Sequence, residues 1–455
     1  MNRIILIGNG FDLAHGLKTS YKDFIDWLWK KMNIAYNEHI KSSHEKFVYK
    51  DMVIYHTPTS STPSPIPENI IHNKPRNGGI ITKDNSQFIV RTIEYKNLFL
   101  KIITEKYQKA NWVDIEDEYY EQLKLCTKNK DLNAIKKLNN DLEQIKQKLI
   151  SYLKEVNPQK MGEIEPIMYS SIYSTLCLRD FTTNGRNAIV EEAYSLFQKL
   201  DRDSKCDLDI EHSWKCRKLN GKLTEDDFKQ IFMEEAERDN KYEDLLPQNV
   251  LFLNFNYTDT ARRYDYFGAY VEGLRKTMLL NTWQINIVRY YNHIHGRLID
   301  IENPNHIIFG YGDELATEYK EIENLNNNEY LKNVKSINYL KTDNYKKLLD
   351  FINSESYQIF IMGHSCGNSD RTLLNTLFEH ENCVSIKPYY YEWEKKDKNG
   401  NTLKDDKGNV IYENDYEEIV MNISRNFNDK KAFRDKVVNK TYCKLLPQSK
   451  NLILT

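Results

Sequence analysis

The residues best suited to chemistry in this chain stand where apolar runs stop. Gly8-Asn9-Gly10-Phe11-Asp12 follows the β-branched run Arg3-Ile4-Ile5-Leu6-Ile7, and Asn256 follows Val250–Phe255. His295 closes the run Ile285–Ile294, and Gly363-His364-Ser365 closes Tyr357–Met362, with Asp370 shortly beyond. Glycines let a backbone approach a pyrophosphate, and the free N–H groups of a following helix start face the anion. A phosphate cradle, an amide, an imidazole and a second glycine-hydroxyl turn would together surround one nucleotide. Each member alone has a plainer reading. The first turn is an incomplete dinucleotide fingerprint, because Leu13 stands where a third glycine is needed. Asn256 alone would serve a neighbouring loop, and a lone His at a strand end is more often structural than catalytic.

The elements that would hold these residues are short strands. Besides the four runs above, His306–Phe309, which breaks at Gly310-Tyr311-Gly312, and Cys383–Tyr391 read as strands. Strands that end in glycine or polar residues are what the carboxyl edge of a parallel sheet requires. The middle of the chain has a helical period instead. It returns at Ile93–Ala110, and a helix with an acidic first turn opens over Asn111–Tyr120, with Asn111 as cap and Glu116 as a candidate pocket wall. Leu132, Ile135, Leu138, Leu142, Ile145, Leu149 and Tyr152 form an amphipathic stripe, and Gly185–Leu200 and Thr224–Tyr242 read as further helices. The fold expected is α/β: a discontinuous parallel-sheet core from 1–45 and 245–455, interrupted by a mainly helical insertion over 46–244. A Pro-rich loop is expected at 56–79. The strands Arg3–Ile7, Leu251–Leu253 and Ile359–Ile361 should share one sheet.

Composition narrows the partners. The chain has 455 residues, long enough for two or three domains or for one core with a large insertion. Lys plus Arg total 64 against 66 acids, for a net charge of −2, so no basic footprint for wholesale nucleic-acid binding exists. The seven cysteines form no Cys-x-x-Cys pair, which argues against a disulfide framework or a zinc ribbon. The opening apolar run is too short for a signal peptide, and no stretch has the length of a membrane span. A reducing, cytoplasmic location is expected, with no membrane partner.

Five motifs in order carry a resemblance. Gly8-Asn9-Gly10-Phe11-Asp12 with Gly16-Leu17, Trp112-Val113-Asp114-Ile115-Glu116, Asn254-Phe255-Asn256-Tyr257-Thr258, His293-Ile294-His295-Gly296, and Gly363-His364-Ser365 with Ser369-Asp370 resemble the AbiH abortive-infection family of bacterial phage-defence proteins. More distantly, the glycine opening, Asn254–Thr258, His295-Gly296 and Gly363–Ser365 resemble sirtuin-like NAD-binding domains. That likeness implies a Rossmann-like, sirtuin-like sheet in which Gly8 and Gly10 hold phosphates; Asn9 and Asp12 of the same turn are further substrate-binding candidates. It further implies that Asn256 orders the nicotinamide ribose and water, that His295 is the catalytic base, and that Gly363 and Ser365 flank the adenosine half; Asp370 is a further substrate-binding candidate. Thr258 stands where sirtuins have Asp, and Phe255 where they have Gln. The sirtuin zinc cysteines are missing, which points away from peptide deacetylation and toward stand-alone enzymes that destroy NAD.

Breaking the bond between nicotinamide and ribose passes through an oxocarbenium-like state, which needs an amide or carboxylate near the cation and a base for water or a ribose hydroxyl. Asp12, Asn256 and His295 supply those types, and an ordinary His pKa near 6.5 suits the base role. The expected function is an abortive-infection effector that hydrolyses NAD to nicotinamide and ADP-ribose when triggered, with no metal and no cofactor beyond NAD as substrate. A phage-derived trigger and homo-oligomerisation go with that expectation. Two rivals stand beside it. A metal-dependent hydrolase or nuclease would use His293 and His295, two apart and hence on one side of a strand, with Asp114 and Glu116. A non-catalytic nucleotide-binding sensor would use the glycine turns alone. Gly363-His364-Ser365-Cys366-Gly367 also spells a nucleophile elbow, but only His380 follows it, too near for a hydrolase triad.

Overall fold

The computed structural model describes residues 1–42, 46–56, 79–84, 87–110, 114–156, 166–202, 224–230, 233, 246–265, 287–298, 306–398 and 400–448. Its centre is a parallel sheet of six strands: β1 (Asn2–Ile7), β2 (Asn249–Asn254), β3 (Val288–His293), β4 (Tyr357–Met362), β5 (Cys383–Tyr390) and β6 (Lys444–Leu445). Their order is β6-β5-β4-β1-β2-β3, with β1 pairing in register with both β2 and β4. The chain therefore builds outward from β1 in one direction and then returns to build outward in the other. The order reverses between β1 and β4.

Continuous apolar runs make β1, β2 and β4 because both sheet faces are covered there, whereas the edge strands β3 and β6 are partly exposed. Ile4, Leu6, Leu253 and Ile361 pack with Leu348, Ile352, Leu374 and Leu377 on one face, whereas Ile5, Ile7, Phe252 and Met362 pack with Met168, Ile172 and Tyr264 on the other. A fully buried Ile or Leu stabilises by about 1.5–3 kcal/mol, so every residue of β1 being buried makes it the anchor of the core.

The helix α1 (Asn9–Ala14) leaves β1 directly, and α2 (Tyr21–His39) follows with Ser20 Oγ accepting the Asp23 N–H (3.1 Å) as its cap. α2 does not cover the sheet. Its Phe24, Leu28, Trp29 and Tyr36 join a separate apolar cluster with α3 (Leu98–Ala110), α4 (Ile115–Asn129) and α5 (Leu132–Glu155). The expected stripe on α5 is buried from Ile135 to Tyr152. Among the described residues, no helix is long and apolar enough to cross a membrane.

Beside its helices, the 46–244 segment opens with a four-stranded antiparallel sheet that was not expected, ordered Phe47–Tyr49, Val53–His56, Gln87–Tyr95, Gly79–Asp84. Two expectations need correction. The helical period read from Ile93 starts at Leu98, because Ile93 and Tyr95 pair with strand Val53–His56. His306–Phe309 forms no strand of the described sheets: Ile307, Ile308 and Phe309 are buried, and the Ile308 N–H donates to His295 O (2.9 Å), but a short apolar run reports burial rather than strand pairing. The helix expected over Thr224–Tyr242 and the Pro-rich loop fall largely outside the described residues.

Candidate functional site

The two glycine turns meet where the strand order reverses. Gly8 N–H donates to Met362 O (3.4 Å), and Gly10 N–H donates to Gly363 O (2.8 Å). Gly363 has φ +75°, and a Cβ there would lie 2.1 Å from Phe11 N. A Cβ on Gly8 would lie 2.5 Å from His364 Cα. These glycines are required because two backbones touch, and the amides of Gly8 and Gly10 are spent on that contact. What they give the site is the close approach itself, which sets the spacing of everything attached to the two turns.

Beside the turns lies a cavity of about 840 Å³. Gly8, Asn9, Gly10, Asp12, Asn256, His295, Gly363, Ser365 and Asp370 all line it. The structure thus brings together the residues named from the sequence for nucleotide binding and catalysis. α4 adds Glu116 and its cap Asp114, and α5 adds Leu149 and Leu153, so one wall comes from the insertion.

His295 sits just beyond β3, only 4 % exposed. Its Nε2 is 3.2 Å from Asp370 Oδ1 and 3.3 Å from the Tyr339 hydroxyl, and the Phe255 ring stands edge-on to it at 5.1 Å. Nδ1 has no hydrogen-bond partner among the described residues. Burial and then Lys335 push the imidazole pKa down, against the pull of Asp370. The ring is therefore neutral at pH 7, with the Nε2 proton held by Asp370 and a lone pair on Nδ1. Asp370 is the centre of the polar cluster. Its Oδ1 also accepts from Lys335 Nζ (2.8 Å), and its Oδ2 faces His364 Nε2 at 3.6 Å. Burial opposes its charge, but Lys335 and then His295 outweigh burial and hold it well below the usual carboxylate range. His364 accepts the Cys366 N–H at Nδ1 (2.9 Å), which leaves its own proton on Nε2, toward Asp370.

Asp12 of α1 and Asn256, two residues beyond the end of β2, line the same cavity. Asp12 Oδ2 accepts the Thr258 hydroxyl at 2.6 Å, whereas Oδ1 is buried with no hydrogen-bond partner among the described residues. Burial pushes this carboxyl up to about 6, against the Thr258 hydrogen bond. Asn256 Nδ2 donates to Gly8 O (2.9 Å), and its own N–H donates to Asn254 Oδ1 (2.9 Å). The amide nitrogen thus ties β2 to the first glycine turn.

Glu116 is the insertion's contribution to the charge cluster. Its Oε2 takes Lys335 Nζ at 2.9 Å and its Oε1 takes the Gly310 N–H at 3.0 Å, while burial pushes it up to about 8. α4 is capped by Asp114, which accepts the N–H groups of Glu116 (2.9 Å) and Asp117 (3.2 Å). That corrects Asn111 as the cap; Asn111, Trp112 and Val113 lie outside the described residues. His293 and His295 do not share a side. β3 ends at His293, whose Nε2 pairs with Asp259 Oδ1 (3.1 Å), while His295 turns to Asp370. Between Glu116 and Asp370 the cation is the Lys335 ammonium, and among the described residues no group of His, Cys, Asp and Glu is arranged to hold a metal. His380 is the C-cap of helix Arg371–Glu379, remote from Ser365 at its other end, so the elbow sequence makes no triad.

Sequence reasoning missed Lys335, Tyr339, Tyr21 and Tyr257. Lys335 lies in Leu331–Lys341, whose scattered lysines and asparagines read as a solvated surface, yet it is 0 % exposed. Nothing in its local pattern distinguishes it from Lys332 or Lys341.

No curated protein and no solved structure matches the chain. The pattern of one family does, over residues 4–392, and with that span the chain belongs to the bacteriophage abortive infection AbiH family.

Proposed function

We propose that this AbiH protein is a triggered NAD glycohydrolase that acts in phage abortive infection. The observation that carries the reading is the Asp370–His295 pair, with Nδ1 unengaged, on the wall of the cavity that also takes in Asp12 and Asn256. The strand order β6-β5-β4-β1-β2-β3 is that of the doubly wound Rossmann sheet, whose ligands lie outside the carboxyl ends at the point of reversal. This cavity has that position, and 840 Å³ suits a dinucleotide.

In this reading Asn256 and the glycine turns orient the nicotinamide ribose. The glycosidic C–N bond breaks with its electron pair going to the nicotinamide nitrogen, and positive charge develops on the sugar. The negative charge of the Asp12 carboxylate stabilises that charge. His295 Nδ1 takes a proton from water as its oxygen bonds to the anomeric carbon, and Asp370 stabilises the resulting imidazolium. Nicotinamide and ADP-ribose leave, and the proton passes to solvent. NAD is the substrate, no further cofactor is needed, and the reaction belongs in the cytoplasm. A phage-derived trigger, acting on the monomer or on a homo-oligomer, turns the enzyme on. The test is nicotinamide release by purified protein with and without lysate from infected cells. Release that requires such a lysate is expected; NAD that binds but stays intact under all these conditions would leave a nucleotide sensor instead.

A further inference from the structure

We propose that Lys335 is a positioning residue for His295: by sharing Asp370 Oδ1, its ammonium keeps Nδ1 of the imidazole free to accept a proton. The inference rests on reading His295 as the base. Its own geometry is closed on every side. Lys335 Nζ lies 2.9 Å from Glu116 Oε2 and 2.8 Å from Asp370 Oδ1, with no exposure to solvent. Its backbone is fixed as well. The Lys335 N–H donates to Tyr311 O (2.8 Å), and Tyr311 N–H donates to Asn333 O (3.1 Å). Gly310, next to Tyr311, donates to the other oxygen of Glu116. One short segment therefore registers both ends of the Glu116–Lys335 pair. Tyr339 follows four residues later on the same helical turn and reaches His295 Nε2 at 3.3 Å, so Lys335 and Tyr339 act on the imidazole from one face.

The charges around the ring show what the ammonium does. His295 faces Asp370 and, beyond it, Lys335 and His364; Tyr339 contributes a neutral hydroxyl, and Phe255 an apolar edge. A buried carboxylate beside an imidazole draws a proton onto it, and the imidazolium has no lone pair to offer. Lys335 neutralises that carboxylate at the same oxygen, Asp370 Oδ1, that His295 Nε2 faces. With the ammonium in place, Asp370 holds the ring without charging it. The other half of the clamp, Glu116, belongs to α4, so the insertion and the sheet core share a single buried charge network that ends at the base. Broken buried pairs destabilise strongly, whereas an apolar replacement of the whole pair is often neutral. A lysine that served only the fold would leave the titration of His295 unmoved.

The experiment is an NMR titration of ¹³C-labelled histidines in the full chain. The His295 signal, one of eleven histidines, is identified by its loss in His295→Gln. In Lys335→Met the His295 midpoint moves upward from the parent, and in Lys335→Arg it stays near the parent. In parallel, the acidic limb of the pH profile for nicotinamide release moves to higher pH in Lys335→Met. Should that variant fail to fold, Glu116→Gln/Lys335→Met removes the stranded carboxylate while deleting the same ammonium, and the same upward shift is expected. A folded variant with an unmoved or lowered midpoint overturns the proposal, as does failure of both variants to fold. A shifted midpoint in a protein that releases no nicotinamide keeps the role of Lys335 and rejects the NAD reading instead.

Discussion

Two buried charge clusters join the sheet to the segment inserted between β1 and β2, and one of them lines the 840 Å³ cavity whereas the other does not. In the first, Arg3 of β1 donates to Ile172 O (2.9 Å), Ser174 O (2.6 Å) and Gln358 Oε1 (3.2 Å) and lies over the Phe360 ring, while Lys387 of β5 pairs with Asp180 at 2.7 Å. None of Arg3, Gln358, Lys387 and Asp180 lines the cavity. In the second, Glu116, Lys335, Asp370 and His295 are as deeply buried, yet three of the four line it. Burial and pairing shift pKa values in both. What separates a candidate site from a structural lock is a reactive atom left unengaged beside open volume.

The comparison predicts opposite mutant behaviour. The largest effect is expected at His295. His295→Ala should lower NAD hydrolysis by about two to four orders of magnitude while NAD affinity and melting temperature stay near the parent values. Isothermal titration and a thermal melt beside the rate assay check the split. Lys387→Met strands the Asp180 carboxylate in the interior and should cost about 3–5 kcal/mol of stability, measured by denaturant unfolding, with turnover per folded molecule retained.

Gly363→Ala should come next, at about 1–3 kcal/mol, because φ +75° and a Cβ 2.1 Å from Phe11 N strain both turns together. Unlike Lys387→Met, it should also weaken NAD binding, since the turns position the cavity wall.

The smallest effect is a pH dependence. Glu116 titrates near 8 when folded, against 4.5 as its ordinary value, so the folded state binds the proton more tightly. Its stabilising contribution is complete below about 4.5 and is lost as pH rises through 8. Glu116→Gln should flatten the fall in melting temperature over that window. An unchanged slope would remove Glu116 from the titrating cluster.

How far the sequence displayed this arrangement follows from what each signal reports. Strands β1, β2 and β4 were legible because a fully buried parallel strand is a continuous apolar run, and their polar ends located the sheet edge. β6, two residues long, has no such run to show. The antiparallel sheet at the head of the insertion was not legible because its strands are short or lie on either side of a Pro-rich stretch, and the pairing that joins its two halves, Val53–His56 with Gln87–Tyr95, spans that stretch. Among site residues, glycine turns and strand-end His and Asn stand out through position. Lys335 does not, since a buried lysine is created by tertiary contacts with Glu116 and Asp370, 219 and 35 residues away in the chain.

The most direct measurement sets the two clusters side by side. Nicotinamide release is followed for the parent, His295→Ala and Lys387→Met under one activating condition, at a temperature where all three are folded. The account predicts at least a hundredfold loss for His295→Ala, the low end of what removing a general base costs, and a rate within about threefold of the parent for Lys387→Met. Parental release by His295→Ala, or equal losses in both variants, would contradict it.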